Sequence, residues 1–124
     1  MMFDLAPEEA RLLLNVALMA AGGNRFQSAA KILAVLERFR PDAPSVAVGK
    51  AITLISAMQF ATCVEYIDET ALRKFPDNAM LKAFKGMALL RMERIPEARE
   101  VLAEAADQTN DPAAAQLARG LMND

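Results

Sequence analysis

The chain has no histidine, no tryptophan, one cysteine, one tyrosine and only five glycines. The missing histidine removes the commonest general base and the commonest metal ligand together. A single cysteine, Cys63, cannot form a disulfide within the chain, which fits a reducing compartment. Without histidine, Cys63 also has no partner for a cysteine–histidine nucleophile. Neither a glycine-rich phosphate loop nor metal-ligand spacing can be found, so an enzyme, a cofactor and a metal site are all outside the expectation. An excess of basic charge is absent too. Lys and Arg number 14 against 16 Asp and Glu, for a net charge of −2. That balance cannot neutralise a phosphate backbone, and nucleic acid is not the expected partner. The long apolar run Leu12 to Ala21 is broken only by Asn15 and covers ten residues. It is too short to cross a bilayer, and the upstream acids Asp4, Glu8 and Glu9 do not suit a signal peptide. A cytoplasmic protein without membrane insertion is expected.

What is present is helix-forming. Hydrophobic residues make up 54% of the 124, with alanine and leucine dominant, enough for one all-α domain. Apolar spacing and punctuation predict seven helices, at 7–21, 26–39, 45–58, 60–74, 78–91, 95–107 and 112–122. Pro7, Pro96 and Pro112 sit in first turns, where a missing N–H costs nothing. Asn78 or Asp77 and Asp111 are candidate N-caps. No alternating run long enough for a strand occurs. Short turns between successive helices suit antiparallel helical hairpins.

The sequence also repeats itself. Phe26-Gln27-Ser28-Ala29 recurs as Phe60-Ala61-Thr62-Cys63 and Ile95-Pro96-Glu97-Ala98, at spacings of 34 and 35 residues. Pro41-Asp42, Pro76-Asp77 and Asp111-Pro112 keep the same beat. Counting repeats from Ala10, Pro44 and Ala79, the eighth position is Ala17, Ala51 and Gly86, and the twentieth is Ala29, Cys63 and Ala98. All six are small, as close helix crossings require. The twenty-fourth is Leu33, Ile67 and Leu102, all bulky and apolar.

Over residues 10 to 112 or so, this pattern resembles the tetratricopeptide repeat, whose length is 34 residues. The match is degenerate. Leu13, Ala47 and Lys82 replace tryptophan at the fourth position. Val16, Lys50 and Lys85 stand at the seventh, and Ala20, Leu54 and Leu89 replace tyrosine at the eleventh. The resemblance implies about three TPR-like hairpins, at roughly 10–43, 44–78 and 79–110, plus a C-terminal capping helix at 111–122. In that helix Leu117 and Leu121 are expected inward, with Gln116, Arg119 and Asn123 outward.

Such arrays are binding scaffolds whose first helices line a concave side. Two stripes can be read on the third helix. Ala47, Ala51, Leu54 and Met58 make an internal one, and Val48, Ile52 and Ile55 a second about a quarter turn away. The second stripe continues as Leu14, Leu18 and Ala21 on the first helix and as Met80, Ala83, Met87 and Leu90 on the fifth. Together these side chains are expected to form an apolar groove for an apolar helix or extended segment of a protein client. Methionine suits irregular apolar partners. A carboxylate clamp is not expected, because Leu14, Val48 and Ala83 occupy the positions that would need polar side chains. Three other fates are open to the stripe: burial under the chain's own last helix, a third helix that is simply central core, or a homodimer interface built on the third helix, which would make the chain a self-associating structural subunit or scaffold of a larger complex.

The remaining features have structural readings. Cys63 fills a small-residue position. Glu65, Asp68 and Glu69 read as a solvated face, as do Glu97, Arg99, Glu100 and Glu104. Tyr66, Phe26, Phe39, Phe60, Phe75 and Phe84 read mostly as wedges between helices. Arg91 and Arg94 read as a helix cap and a turn contact. In size and layout the chain is similar to the small tetratricopeptide chaperones of bacterial type III secretion that shield a needle subunit. That resemblance implies a polymerising or membrane-inserting client kept soluble before export, with a second small co-chaperone.

Overall fold

The computed structural model describes residues 5–108 and 110–123. Asp4, named above for its charge, lies outside the described residues. The described residues form seven helices: α1 (Pro7–Gly22), α2 (Phe26–Phe39), α3 (Pro44–Ser56), α4 (60–74), α5 (Ala79–Arg91), α6 (Ile95–Asp107) and α7 (Pro112–Met122). No strand occurs among the described residues, so the fold is all-α.

Local chemistry sets the boundaries. Pro7, Pro44 and Pro112 open their helices, and the Glu9 carboxylate accepts from the Ala6 amide in front of α1. Asn78 and Asp111 cap α5 and α7 by accepting from the Leu81 and Ala114 amides, at 2.9 and 3.1 Å. Three helices end on one repeated turn. Asn24, Met58 and Glu93 all adopt the left-handed conformation, with φ of 65°, 59° and 61°. The residues that follow, Arg25, Gln59 and Arg94, share φ near −93° and ψ near 65°. The Asn24 amide donates to Ala21 and the Arg25 amide to Ala20; Glu93 to Leu90 and Arg94 to Leu89 repeat the pair. These are the crossed bonds of a Schellman motif. Met58 keeps the first of them, to Ile55 at 2.9 Å. One correction follows. The third helix stops at Ser56 rather than running to 58, and Met58 leaves the internal stripe to become a turn residue that is 74% exposed.

The chain gathers into two compact units, one ending at Met58 and the other starting at Gln59. The boundary falls within the second repeat of the 34–35-residue frame. In the first unit α1, α2 and α3 all pack on one another. Its core holds Ala17, Leu33, Leu36 and Val46, with Leu13, Leu14 and Ile32 packed against them. Arg40 donates its guanidinium N–H groups to the Leu5 carbonyl, fixing the approach to α1. In the second unit α5 packs on α4, α6 and α7, and α6 packs on α7. The Arg119 guanidinium donates to the Ala106 carbonyl near the end of α6. The buried face of α7 is Ala114, Ala115 and Ala118; Leu117 and Leu121, expected inward, are only half-buried.

The three second helices of the repeat frame bury equivalent triads: Ala29, Leu33 and Leu36 on α2, Cys63, Ile67 and Ala71 on α4, and Ala98, Leu102 and Ala105 on α6. Their spacings differ in one respect. On α2 and α6 the steps are four then three residues; on α4 both are four. An α-helix turns about 40° past a full circle in four residues. Two such steps would rotate Ala71 off the buried face. A single π-turn over Ile67–Ala71 widens the helix there and keeps Ala71 inside.

Candidate functional site

All six small residues at the eighth and twentieth positions are buried: Ala17, Ala51 and Gly86, then Ala29, Cys63 and Ala98. Leu33, Ile67 and Leu102 are buried beside them. This packing fixes which faces of α1, α3 and α5 remain at the surface. Leu18, Ile52 and Met87 occupy the ninth repeat position, one residue beyond the buried small one, and all three are half-buried. Val48 and Ile55 on α3, and Met80 and Leu90 on α5, are half-buried as well. Each of these helices therefore keeps a strip of large apolar side chains part-open to solvent.

Three of the expected groove residues are otherwise engaged. Ala83 has 0% of its surface exposed and belongs to the core of the second unit. A methyl side chain on a helix reaches little beyond the backbone, so packing on one side hides it entirely. Leu14 is half-buried, yet it packs against the core of the first unit and lies over Gly49. A Cβ at position 49 would fall 2.7 Å from Leu14 Cδ1. Leu14 also lines a surface pocket of about 330 Å³ with Ala10, Arg11, Arg40 and Val46. Ala21, read on the same stripe, is buried.

The lysines that replace apolar residues at the seventh position are accommodated by acids on the preceding helix. Lys50 on α3 pairs with Glu37 on α2 at 3.4 Å, and Lys85 on α5 pairs with Asp68 on α4 at 2.7 Å. Asp68 is thus one arm of an inter-helix ion pair, while Glu69 makes a loose i,i+4 pair with Arg73. Lys82 reaches Glu104 on α6 at 3.9 Å. A pocket of about 230 Å³ between α4, α5 and α6 carries Lys82 and Lys85 together with Glu97, Glu100 and Glu104. Leu72, Leu89 and Val101 line it as well, and none of the expected groove residues does.

Potential reactive groups are few. Cys63 is fully buried, and burial pushes its thiol up to about 11. No group of three or more cysteine or acidic side chains is placed to hold a metal among the described residues. Arg94 opens α6 and pairs with exposed Glu97, while the Arg91 guanidinium lies 5.6 Å from the centre of the Phe60 ring. No helix among the described residues is long and apolar enough to cross a membrane.

Sequence reasoning missed a different apolar strip. Leu12, Val16 and Met19 are among the most exposed large apolar side chains described, and all stand on α1. Their i, i+4, i+7 spacing was the available signal; the run from Leu12 to Ala21 is so uniformly apolar that its two faces look alike in sequence. No protein-family model, curated protein or solved structure matches the chain.

Proposed function

We propose that this chain is a protein-binding adaptor or chaperone that shields an apolar helix or extended segment of a partner protein. The observation that carries the reading is the ninth repeat position. Leu18, Ile52 and Met87 are large, apolar and half-buried, so each can lose further surface to a partner. Full burial of such a side chain is worth about 1.5–3 kcal/mol, and half-exposed ones retain part of that for binding. The repeated Schellman turns and the buried small residues support a tetratricopeptide-like scaffold beneath them. The absence of histidine from the sequence supports binding over catalysis. A single free cysteine, Cys63, fits a reducing, cytoplasmic setting. The likeness in size to needle-subunit chaperones favours an export client that polymerises or inserts in membranes, accompanied by a second small helical protein.

The test is native mass spectrometry of the tagged chain from its own host, repeated with Ile52→Asp. A stoichiometric small helical client that is lost in the variant, while circular dichroism retains the helix signal, supports the reading. The client should also stay monomeric only in the presence of this chain. An unfolded Ile52→Asp would mean that Ile52 is core, and a client equally soluble alone would remove the shielding role.

A further inference from the structure

The exposed strip on α1 has counterparts elsewhere in the chain that are covered. Leu12 is 65% exposed, Val16 44% and Met19 75%. They occupy the third, seventh and tenth repeat positions. On α3 the same positions hold Val46, Lys50 and Thr53; on α5 they hold Leu81, Lys85 and Ala88. Val46 is buried with Leu33 and Leu36 of α2, and Lys50 reaches Glu37 of α2. Thr53 is buried, its hydroxyl donating to the Gly49 carbonyl. Leu81 and Ala88 are fully buried, and Lys85 reaches Asp68 of α4. On α3 and α5, then, this face has the preceding helix against it. On α1 the equivalent face is exposed.

The seventh position restricts which helix fits. At Lys50 and Lys85 the covering helix supplies an acid. At Val16 it must supply an apolar group, because a carboxylate left on an apolar surface is costly. Helices of the α2 or α4 kind would bring Glu37 or Asp68 to that point. A second α1 meets the requirement. Laid antiparallel about a two-fold axis near Val16, the strip is its own complement: Val16 meets Val16, and Leu12 comes beside Met19 of the other copy. The charges agree with this orientation. Exposed Glu8 stands in the first turn of α1 and exposed Arg25 three residues past its end, so an antiparallel pair would bring an acid of one copy and an arginine of the other to the same end.

We propose that the chain self-associates through antiparallel α1 helices, using Leu12, Val16 and Met19. Three side chains per copy make an interface smaller than the roughly 800 Å² per partner of a standard stable complex. Association is accordingly weak and reversible, with a dissociation constant of about 1–100 μM.

Sedimentation velocity on the full chain, from about 1 to 300 μM, tests this. The expected result is a monomer–dimer equilibrium that Val16→Glu weakens at least about tenfold with circular dichroism unchanged. Glu8→Arg should weaken it as well, and adding Arg25→Glu to that variant should restore it. Val16→Cys should form a disulfide-linked dimer on mild oxidation, since the native Cys63 is buried. Ile52→Asp should dimerise as the parent does, which separates this surface from the one proposed for client binding. A chain that stays monomeric throughout overturns the proposal, as does a dimer that Val16→Glu leaves intact. A monomer that takes up only a helix of a different protein at Val16 would also overturn it, in favour of a heterologous partner.

Discussion

The fully buried side chain of Leu102 on α6 lies directly over Gly86 on α5. A Cβ at position 86 would run into Leu102 Cγ and Cδ2. The two residues are the eighth and twenty-fourth positions of one repeat, so the absence of a side chain at one makes room for the bulk of the other. The two helices can approach this closely only because position 86 is bare.

Gly86→Ala should therefore destabilise the chain despite alanine's better helix propensity. Overpacking costs about 1–3 kcal/mol, and propensity returns about 1. Gly120 on α7 is the control. Nothing lies within 4 Å of a Cβ built there, so Gly120→Ala should stabilise by about 0.5–1 kcal/mol. Urea denaturation of the two variants should move the midpoint in opposite directions.

Glu93 and Met58 sit in left-handed turns without the freedom of glycine. Glu93→Gly and Met58→Gly should each raise stability by up to about 1 kcal/mol, because the left-handed penalty of about 1–2 kcal/mol exceeds glycine's added unfolded-state entropy. Glu93→Val should do the reverse, since a β-branched residue fits this conformation worst. Thermal melts by circular dichroism would show both directions.

Cys63 should resist alkylation by iodoacetamide in the native chain and react on unfolding. Its folded pKa is raised from 9.0 to about 11, so below pH 9 both states keep the proton. Between pH 9 and 11 the unfolded thiol ionises first, and stability falls as pH rises through that window. The difference between parent and Cys63→Ala across this range isolates the thiol from the lysines.

Lys85 and Asp68 are partly solvated, at 24% and 43% side-chain exposure. Asp68→Asn should cost no more than about 1 kcal/mol. Lys85→Met, which restores an apolar seventh position, should be neutral or stabilising when combined with it. A double-mutant cycle in low and high salt would give the coupling and its screening.

The helices were legible in the sequence because proline, asparagine and aspartate mark their starts and small residues mark their crossings. Leu33, Ile67 and Leu102 could be placed in the core for the same reason: each sits four residues beyond a small one. Surface assignments were less legible. Ala83 and Met80 share a stripe in sequence, yet only the longer side chain reaches solvent. Met58 follows the apolar period of α3 by composition alone, while the helix ends at Ser56 and Met58 itself turns left-handed. The open strip Leu12, Val16 and Met19 was hidden by the apolar residues around it, and burial alone separates the two faces of α1.

The π-turn at Ile67–Ala71 has an arithmetic consequence. From α2 to α3 the starts are 18 residues apart, Phe26 to Pro44, and from α4 to α5 they are 19, Phe60 to Ala79. The starts of α3 and α4, and of α5 and α6, are 16 apart in both cases. The odd residue that makes one repeat 35 long instead of 34 therefore falls in the stretch that holds the π-turn, as a one-residue insertion absorbed without disturbing its neighbours. Removing exposed Thr70 should convert the segment to plain α-helix and leave the inward triad spaced as on α2 and α6. The repeat length of this chain is thus a property its helices can gain or lose one residue at a time.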